Sequence, residues 1–291
     1  MKRIGNLYEK VCSIENLQLA DEKARKGKLR TYGVIEHDKK REVNLLKLRE
    51  TLLNGTFHTS KYDVFTIYEP KEREIYRLPY FPDRILHHAI MNVLEPIWVS
   101  TFTADTYSCI KNRGIHAAAK KVKQALREDP EGTTFCLKLD IRKFYPSINH
   151  DVLKSILRRK LKDKRLLRLL DEIIDSADGV PIGNYLSQYF ANLYLTYFDH
   201  WIKEQKRVKH YFRYADDIVI LASDKSYLHS LMGEIRAYLG DLKLEVKGNW
   251  QVFPVAARGI DFVGYVFFHT HTRMRKGIKK TFCRRLAKLN K

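Results

Sequence analysis

The spacing of apolar residues changes period several times along the chain. Residues 1–60 are expected to be mostly helical, with Leu45, Leu46, Leu48, Leu52 and Leu53 on one apolar stripe. From Tyr62 to Tyr68 (YDVFTIY) the pattern alternates and is rich in aromatic and β-branched residues, which predicts a strand. KEREIYRLP, from Lys71 to Pro79, supplies the other half of a hairpin. DRILHHAIMNVLEPIW has helical spacing through Ile85, Ala89 and Val93, with Asp83 as its cap and an end near Pro96. In FCLKLDIRKFYPSI, Phe135, Leu137 and Leu139 share one face ahead of Asp140, the pattern of a core strand ending at a carboxylate. LKSILRRKLKDKRLLRLL predicts a basic amphipathic helix or helix pair, and YLSQYFANLYLTYFDHWIKE one long apolar helix. YFRYADDIVILAS predicts strand, tight turn and strand with two Asp at the turn. A helix over 227–239 and a strand segment in GIDFVGYVFF follow. Helices interleaved with antiparallel hairpins define the α+β class.

The 291 residues, 44% of them hydrophobic and 12% aromatic, can bury the core of one large domain or two small ones. No repeat or linker-like tract divides them. The net charge of +20, with a pI near 9.7, points to a polyanionic partner. Nucleic acid fits better than anionic lipid, because no basic amphipathic anchor stands out. The cysteines at 12, 109, 136 and 283 include no CxxC pair, which argues against a zinc site or a disulfide framework. The N-terminal residues lack a signal-peptide core and no run of 18 apolar residues occurs, so a cytoplasmic protein is expected.

Asp216 and Asp217 need an explanation, because adjacent carboxylates repel unless they hold a cation or sit in water. Asp140 supplies a third carboxylate at a strand end, followed by Phe144 and Tyr145. If the two strands lie side by side, Asp140 and Asp216 can bind two Mg2+ ions, about 3.5–4 Å apart in such sites. Mg2+ needs few protein ligands, since substrate phosphates complete its shell. On a basic protein this chemistry means polynucleotide synthesis or cleavage. His87 and His88 are adjacent on a helix and do not share a face. His269 and His271 can share a strand face, but no nearby Cys or carboxylate completes a ligand set. All four read as structural or solvated.

LKLDIRKFYPSI followed by YFRYADDIVIL resembles the first and second catalytic motifs of a reverse transcriptase palm. REIYRLPYFPDRILHHAI resembles the fingers motif, GVPIGNYLSQYFANLYL the motif between the catalytic boxes, and GIDFVGY the segment after the palm, all in the family's order. The resemblance implies a right-hand polymerase with an antiparallel palm sheet backed by helices. Its divisions would be an N-terminal helical extension (1–60), fingers (61–135), the first catalytic strand of the palm (136–150), a connection (151–185), the rest of the palm (186–266) and a minimal or truncated basic thumb (267–291). Asp140, Asp216 and Asp217 would form the catalytic, metal-binding cluster, assisted by the backbone carbonyl of Ile141, with two Mg2+ as cofactors and Mn2+ as a substitute. Lys71, Arg73 and Arg77 fall where the family grips the incoming triphosphate, and Arg holds phosphate oxygens bidentately. Tyr145, five residues past Asp140, occupies the steric-gate position that excludes a 2′-hydroxyl. Lys247 falls where a palm lysine approaches the nucleotide or primer end.

One motif departs from the common pattern. Most relatives have Gln between Pro and Gly, and many continue to Ser-Pro, whereas this chain reads PIGNYLSQ, with Ile182 before Gly183 and Gln188 after Ser187. That variation resembles the reverse transcriptases of diversity-generating retroelements, as do TYSCIKNRGIHAA and FDHWIKE. The resemblance implies RNA-directed DNA synthesis from dNTPs that is error-prone opposite template adenines, through loss of an amide that contacts the nucleotide. It implies template RNA, an RNA–DNA duplex and a small basic helical-bundle accessory protein as partners, in a bacterial or phage setting. The last 22 residues carry nine Lys/Arg and no acid, in keeping with a short thumb helped by a partner. A retron-like or phage-defence polymerase is the alternative within the class, and a non-catalytic RNA-binding palm the alternative outside it.

Overall fold

The computed structural model describes residues 3–68 and 72–289. In chain order it contains α1 (Tyr8–Cys12), α2 (Ile14–Ala24), α3 (Tyr32–Asp38), α4 (Arg41–Asn54), β1 (Asp63–Ile67), β2 (Arg73–Arg77), α5 (Ile85–Val99) and α6 (Ile115–Glu128). There follow β3 (Phe135–Asp140), α7 (Phe144–Ser147), α8 (His150–Lys160), α9 (Lys164–Asp175), α10 (Tyr185–Tyr194) and α11 (Thr196–His200). The rest is β4 (His210–Tyr214), β5 (Asp217–Ala222), α12 (Lys225–Asp241), β6 (Gln251–Pro254), α13 (Val255–Arg258), β7 (Ile260–Phe262), β8 (Tyr265–Phe267), β9 (Thr272–Met274) and α14 (Lys276–Leu289). Two compact units emerge, one from Met1–Phe102 with Tyr145–Tyr194, the other from Thr103–Phe144 with Leu195–Lys291.

In the first unit α1, α2 and α10 pack against α5. Leu45, Leu48 and Leu52 fill the core at helical spacing, whereas Leu46, about 100° around the helix, is 57% exposed. The expected five-leucine stripe is therefore narrower, and Leu53 is only partly buried. Asp163 caps α9 through the Leu166 amide and also accepts the amides of Leu7 and Tyr8, at 2.8 and 2.9 Å. Asp21 is fully buried and accepts hydrogen bonds from Arg25 at 2.8 Å, Arg41 at 2.6 Å and Tyr80 at 2.5 Å. Against the desolvation that would raise it, these bonds and the His37 ring, 3.5 Å away, hold its carboxyl well below the usual range.

Several boundaries differ from the sequence pattern. Asp83 does not cap α5; its carboxylate accepts the Ser60 amide at 3.0 Å inside the core, where burial pushes its pKa up. Nor does the helix stop near Pro96. It runs to Val99, and the Ser100 amide takes up the Pro96 carbonyl at 3.2 Å. The long apolar helix is broken at Leu195, whose ψ of 2° leaves the helical range between α10 and α11.

The second unit holds a four-stranded antiparallel sheet in the order β4-β5-β3-β6, and a three-stranded antiparallel sheet β7-β8-β9. Cys136, Phe212, Val219 and Leu221 share a core with Ala118, Val122 and Leu126 of α6. The period of two puts Leu137, Leu139, Ile218 and Ile220 on the other face, and α12 packs against β3 and β5. GIDFVGYVFF forms a hairpin, turning at Val263 and Gly264, both at positive φ. His269 and His271 lie in the β8–β9 connection rather than on a strand face. No helix among the described residues is long and apolar enough to cross a membrane.

Candidate active site

The carboxylates gather at one end of the four-stranded sheet. β3 and β5 pair antiparallel in a register that sets Asp140 opposite Asp217. β4 and β5 are joined by a two-residue turn, Ala215-Asp216, which places Asp216 next to that pair. Ala215 has φ of +55°, a left-handed conformation that a tight hairpin needs and that costs a non-glycine residue of order 1 kcal/mol. The turn is held from below. Arg213, fully buried, donates to the Ala215 carbonyl at 3.1 Å and grips Asp199 through two bonds of 2.7 and 2.6 Å. Asp199 also accepts from Tyr211 at 2.5 Å and Thr106 at 2.9 Å, so a desolvated ion pair with its lone pairs filled supports the Asp-bearing turn.

Two lysines balance the cluster. Lys247 Nζ lies 2.5 Å from Asp140 Oδ1, and the Lys247 amide donates to the Asp140 carbonyl at 2.9 Å. Ile141 is bridged to Val246, which fixes the segment between them. Lys138 sits 3.4 Å from Asp217 Oδ1 and also donates to the carbonyl of Asp261 on β7. Burial, with repulsion from Asp140 and Asp216 and against the pull of Lys138, pushes the Asp217 carboxyl up to about 6. Its Oδ1 is buried without a hydrogen-bond partner among the described residues. No group of three or more metal-ligating side chains is drawn together at binding distance among those residues. Lysine ammonium groups stand against two of the three carboxylates instead.

The remaining expected site residues lie in the first unit. Arg77 pairs with Asp63 across the β1–β2 hairpin and lies over the Phe65 ring, 5.6 Å from its centroid. Arg73 is exposed, with no ion-pair partner among the described residues, and Lys71 lies outside those residues. Tyr145 is half-buried on α7, its carbonyl accepting the Val180 amide at 2.9 Å. Ile182 is also half-buried, and its carbonyl accepts the Tyr76 amide of β2 at 2.8 Å. Gly183 has φ of +123°, and a Cβ there would lie 2.8 Å from the Tyr76 carbonyl oxygen. Gly179 has φ of +59° and lies as close to Pro146. GVPIG is thus a loop clamped between β2 and the segment after Tyr145, and both contacts require glycine. Ser187 is buried on α10, whereas Gln188 is exposed.

Lys138, Arg213 and Asp199 were not evident from motif reading. Period-two alternation gives the signal for Lys138, two residues before Asp140 and therefore on its face of β3. The Arg213–Asp199 pair has none, because its partners are 14 residues apart on different elements. His87 and His88 are structural: burial pushes their pKa down to about 3 and about 4, so both rings are neutral near pH 7.

Residues 69–267 match the family described as "Reverse transcriptase (RNA-dependent DNA polymerase)". The chain belongs to that family. Its expected enzyme class, RNA-directed DNA polymerase, is the family's own. Among curated proteins, this reverse transcriptase is 26% identical to protein YkfC of Escherichia coli K12, covering 79% of this chain and 73% of that protein. It is 23% identical to the group II intron-encoded protein LtrA of Lactococcus lactis, over 60% of this chain and 31% of that protein. Among solved structures, apo telomerase from Candida tropicalis aligns with a TM-score of 0.54 at 12% identity, covering 75% of this chain and 49% of that one. The chain spans less than half the length of LtrA and of that telomerase. The telomerase likeness is one of fold and agrees with the expected mixed α+β polymerase architecture.

Proposed function

We propose that the chain synthesises cDNA on an RNA template, with dNTPs as substrates and two Mg2+ as cofactors. The observation that carries this reading is the pairing of Asp140 with Asp217, with Asp216 on the adjoining turn. The residues suit divalent cations. Asp140 and Asp217 face each other on adjacent strands with Asp216 on the adjoining turn, the Asp217 Oδ1 lacks a hydrogen-bond partner among the described residues, and lysines stand where cations would be favoured. Asp140 and Asp216 would hold the ions, with Asp217 and the Ile141 carbonyl completing the set. When bound, such ions stabilise the attacking and leaving oxygens of an in-line phosphoryl transfer. Arg73 and Lys71 would bind the triphosphate, Lys247 would approach the nucleotide, and the Tyr145 ring would exclude a 2′-hydroxyl. Residues 61–135 would act as fingers, 136–150 and 186–266 as palm, and 267–291 as a short basic thumb.

The finer reading is that the product serves sequence diversification. Ile182 replaces an amide with an aliphatic side chain, in a loop whose backbone is fixed to β2, so lost discrimination against mispairs is not recovered by loop movement. A small basic helical-bundle accessory protein would complete the assembly, in a bacterial or phage-infected cytoplasm. A second reading, accurate copying of one fixed RNA, is favoured by the likeness to an intron-encoded protein. Sequencing cDNA made by the purified chain on a defined RNA separates the two. Substitutions concentrated opposite adenine support diversification, and a low, even error spectrum supports accurate copying.

A further inference from the structure

An open groove of about 1200 Å3 runs between α6 and the β8–β9 connection. Five Lys/Arg and three His line it, with no Asp or Glu. The apolar stripe of α6 enters the core, which turns Lys120, Lys123 and Arg127 outward at i, i+3 and i+7 in one row. Lys121 stands beside them, 3.2 Å from Gln124, and only Arg127 has a carboxylate within reach, the exposed Glu128 at 3.2 Å. Lys120, Lys121 and Lys123 have no carboxylate partner among the described residues. At about 1.5 Å per residue the seven steps from Lys120 to Arg127 extend this field over roughly 10 Å. A row of unneutralised ammonium groups attracts a regularly spaced polyanion.

Aromatic rings form the facing wall. Tyr265 and Phe268 are half-exposed; Phe268 stacks on His271 at 4.6 Å and lies under the Arg273 guanidinium at 4.6 Å. Cations on one wall and rings on the other are the two components with which proteins bind unpaired nucleic acid. His269 bonds Thr133 at 3.0 Å, just ahead of β3, so this end of the groove lies at the strand end opposite Asp140. The five steps from Phe135 to Asp140 separate the two ends by roughly 17 Å.

We propose that this groove binds a single-stranded segment of RNA outside the template–primer path, with phosphates on the α6 row and bases against Tyr265 and the His271 ring that stacks on Phe268. The choice of RNA as the polyanion rests on the reverse transcriptase reading; the groove's charge and rings do not.

The test uses the full chain with its catalytic cleft saturated by a short, unlabelled RNA–DNA primer–template. Fluorescence anisotropy then follows the binding of a labelled single-stranded RNA. The triple variant Lys120→Glu/Lys123→Glu/Arg127→Glu should bind this RNA at least tenfold more weakly, with a salt slope shallower by about 2. It should extend the short primer–template within twofold of the parent. Lys120→Arg/Lys123→Arg should retain binding, and circular dichroism checks the fold of each variant. Unchanged binding in the triple variant, or no binding by the parent once the cleft is filled, would overturn the proposal. So would equal competition by double-stranded RNA or by poly-glutamate, or a parallel loss of extension. Failure of the parent to extend any primer would instead count against the polymerase reading, and leaves the binding result standing.

Discussion

Asp140 and Asp217 are direct partners in the antiparallel register of β3 and β5, and each carries a lysine on its outer side. Lys138 joins Asp217 to the Asp261 carbonyl, and the Asp261 carboxylate in turn holds Arg275 at 2.7 Å. The acidic cluster is thereby tied to the β7–β8 hairpin through a single side chain. Lys138→Met should lower primer extension about tenfold, equivalent to about 1.4 kcal/mol in the barrier, while Lys138→Arg restores most of it. Steady-state extension assays on the three proteins check this, and equal losses in both variants would refute the tether.

The loop before α10 yields a second expectation. Gly183→Ala forces a Cβ to within 2.8 Å of the Tyr76 carbonyl at φ of +123°, costing of order 1–3 kcal/mol. Thermal denaturation should show a lower Tm. Ile182→Gln leaves the backbone contact intact, so its effect should fall on accuracy alone, as fewer substitutions opposite template adenine in sequenced cDNA.

Tyr145 gives a third. Tyr145→Ala should admit ribonucleotides, whereas Tyr145→Phe, which keeps the ring, should still reject them. Incorporation of NTPs against dNTPs in single-nucleotide extension reads the difference.

Beneath the turn, Asp199→Asn leaves the Arg213 guanidinium without its counter-charge in a site closed to solvent. Breaking one side of such a pair costs about 3–5 kcal/mol. Chemical denaturation should show a loss of that order.

Protonation sets the acid limit. His87 and His88 have folded-state pKa values depressed to about 3 and about 4 from 6.5, so the unfolded chain binds more protons below pH 6.5. Their contribution is fully present above that pH. It is lost as pH falls towards 4 and 3, at up to about 1.4 kcal/mol per pH unit for each ring. His87→Leu should flatten stability against pH across this window.

Local patterns were legible where one side chain or one period decides the structure. The alternation in FCLKLDI and the YADD turn place the carboxylates at strand ends, whereas the clamped loop at GVPIG is set by contacts to Tyr76 and Pro146 that the pattern does not show. What stayed hidden depends on partners distant in sequence. Asp83 reads as a helix cap but is drawn to the Ser60 amide, the apolar run after Tyr185 breaks at Leu195, and Leu46 faces solvent beside three buried leucines. Lys138 lies within FCLKLD, yet its role depends on the Asp261 carbonyl that β7 supplies.

The central claim, cation-dependent polymerisation at Asp140, Asp216 and Asp217, is tested most directly by primer extension with Asp216→Asn on a defined RNA template across a Mg2+ titration. Loss of extension at every Mg2+ concentration, with RNA binding retained, is the predicted result. Extension by that variant at a rate near that of the parent would contradict the account.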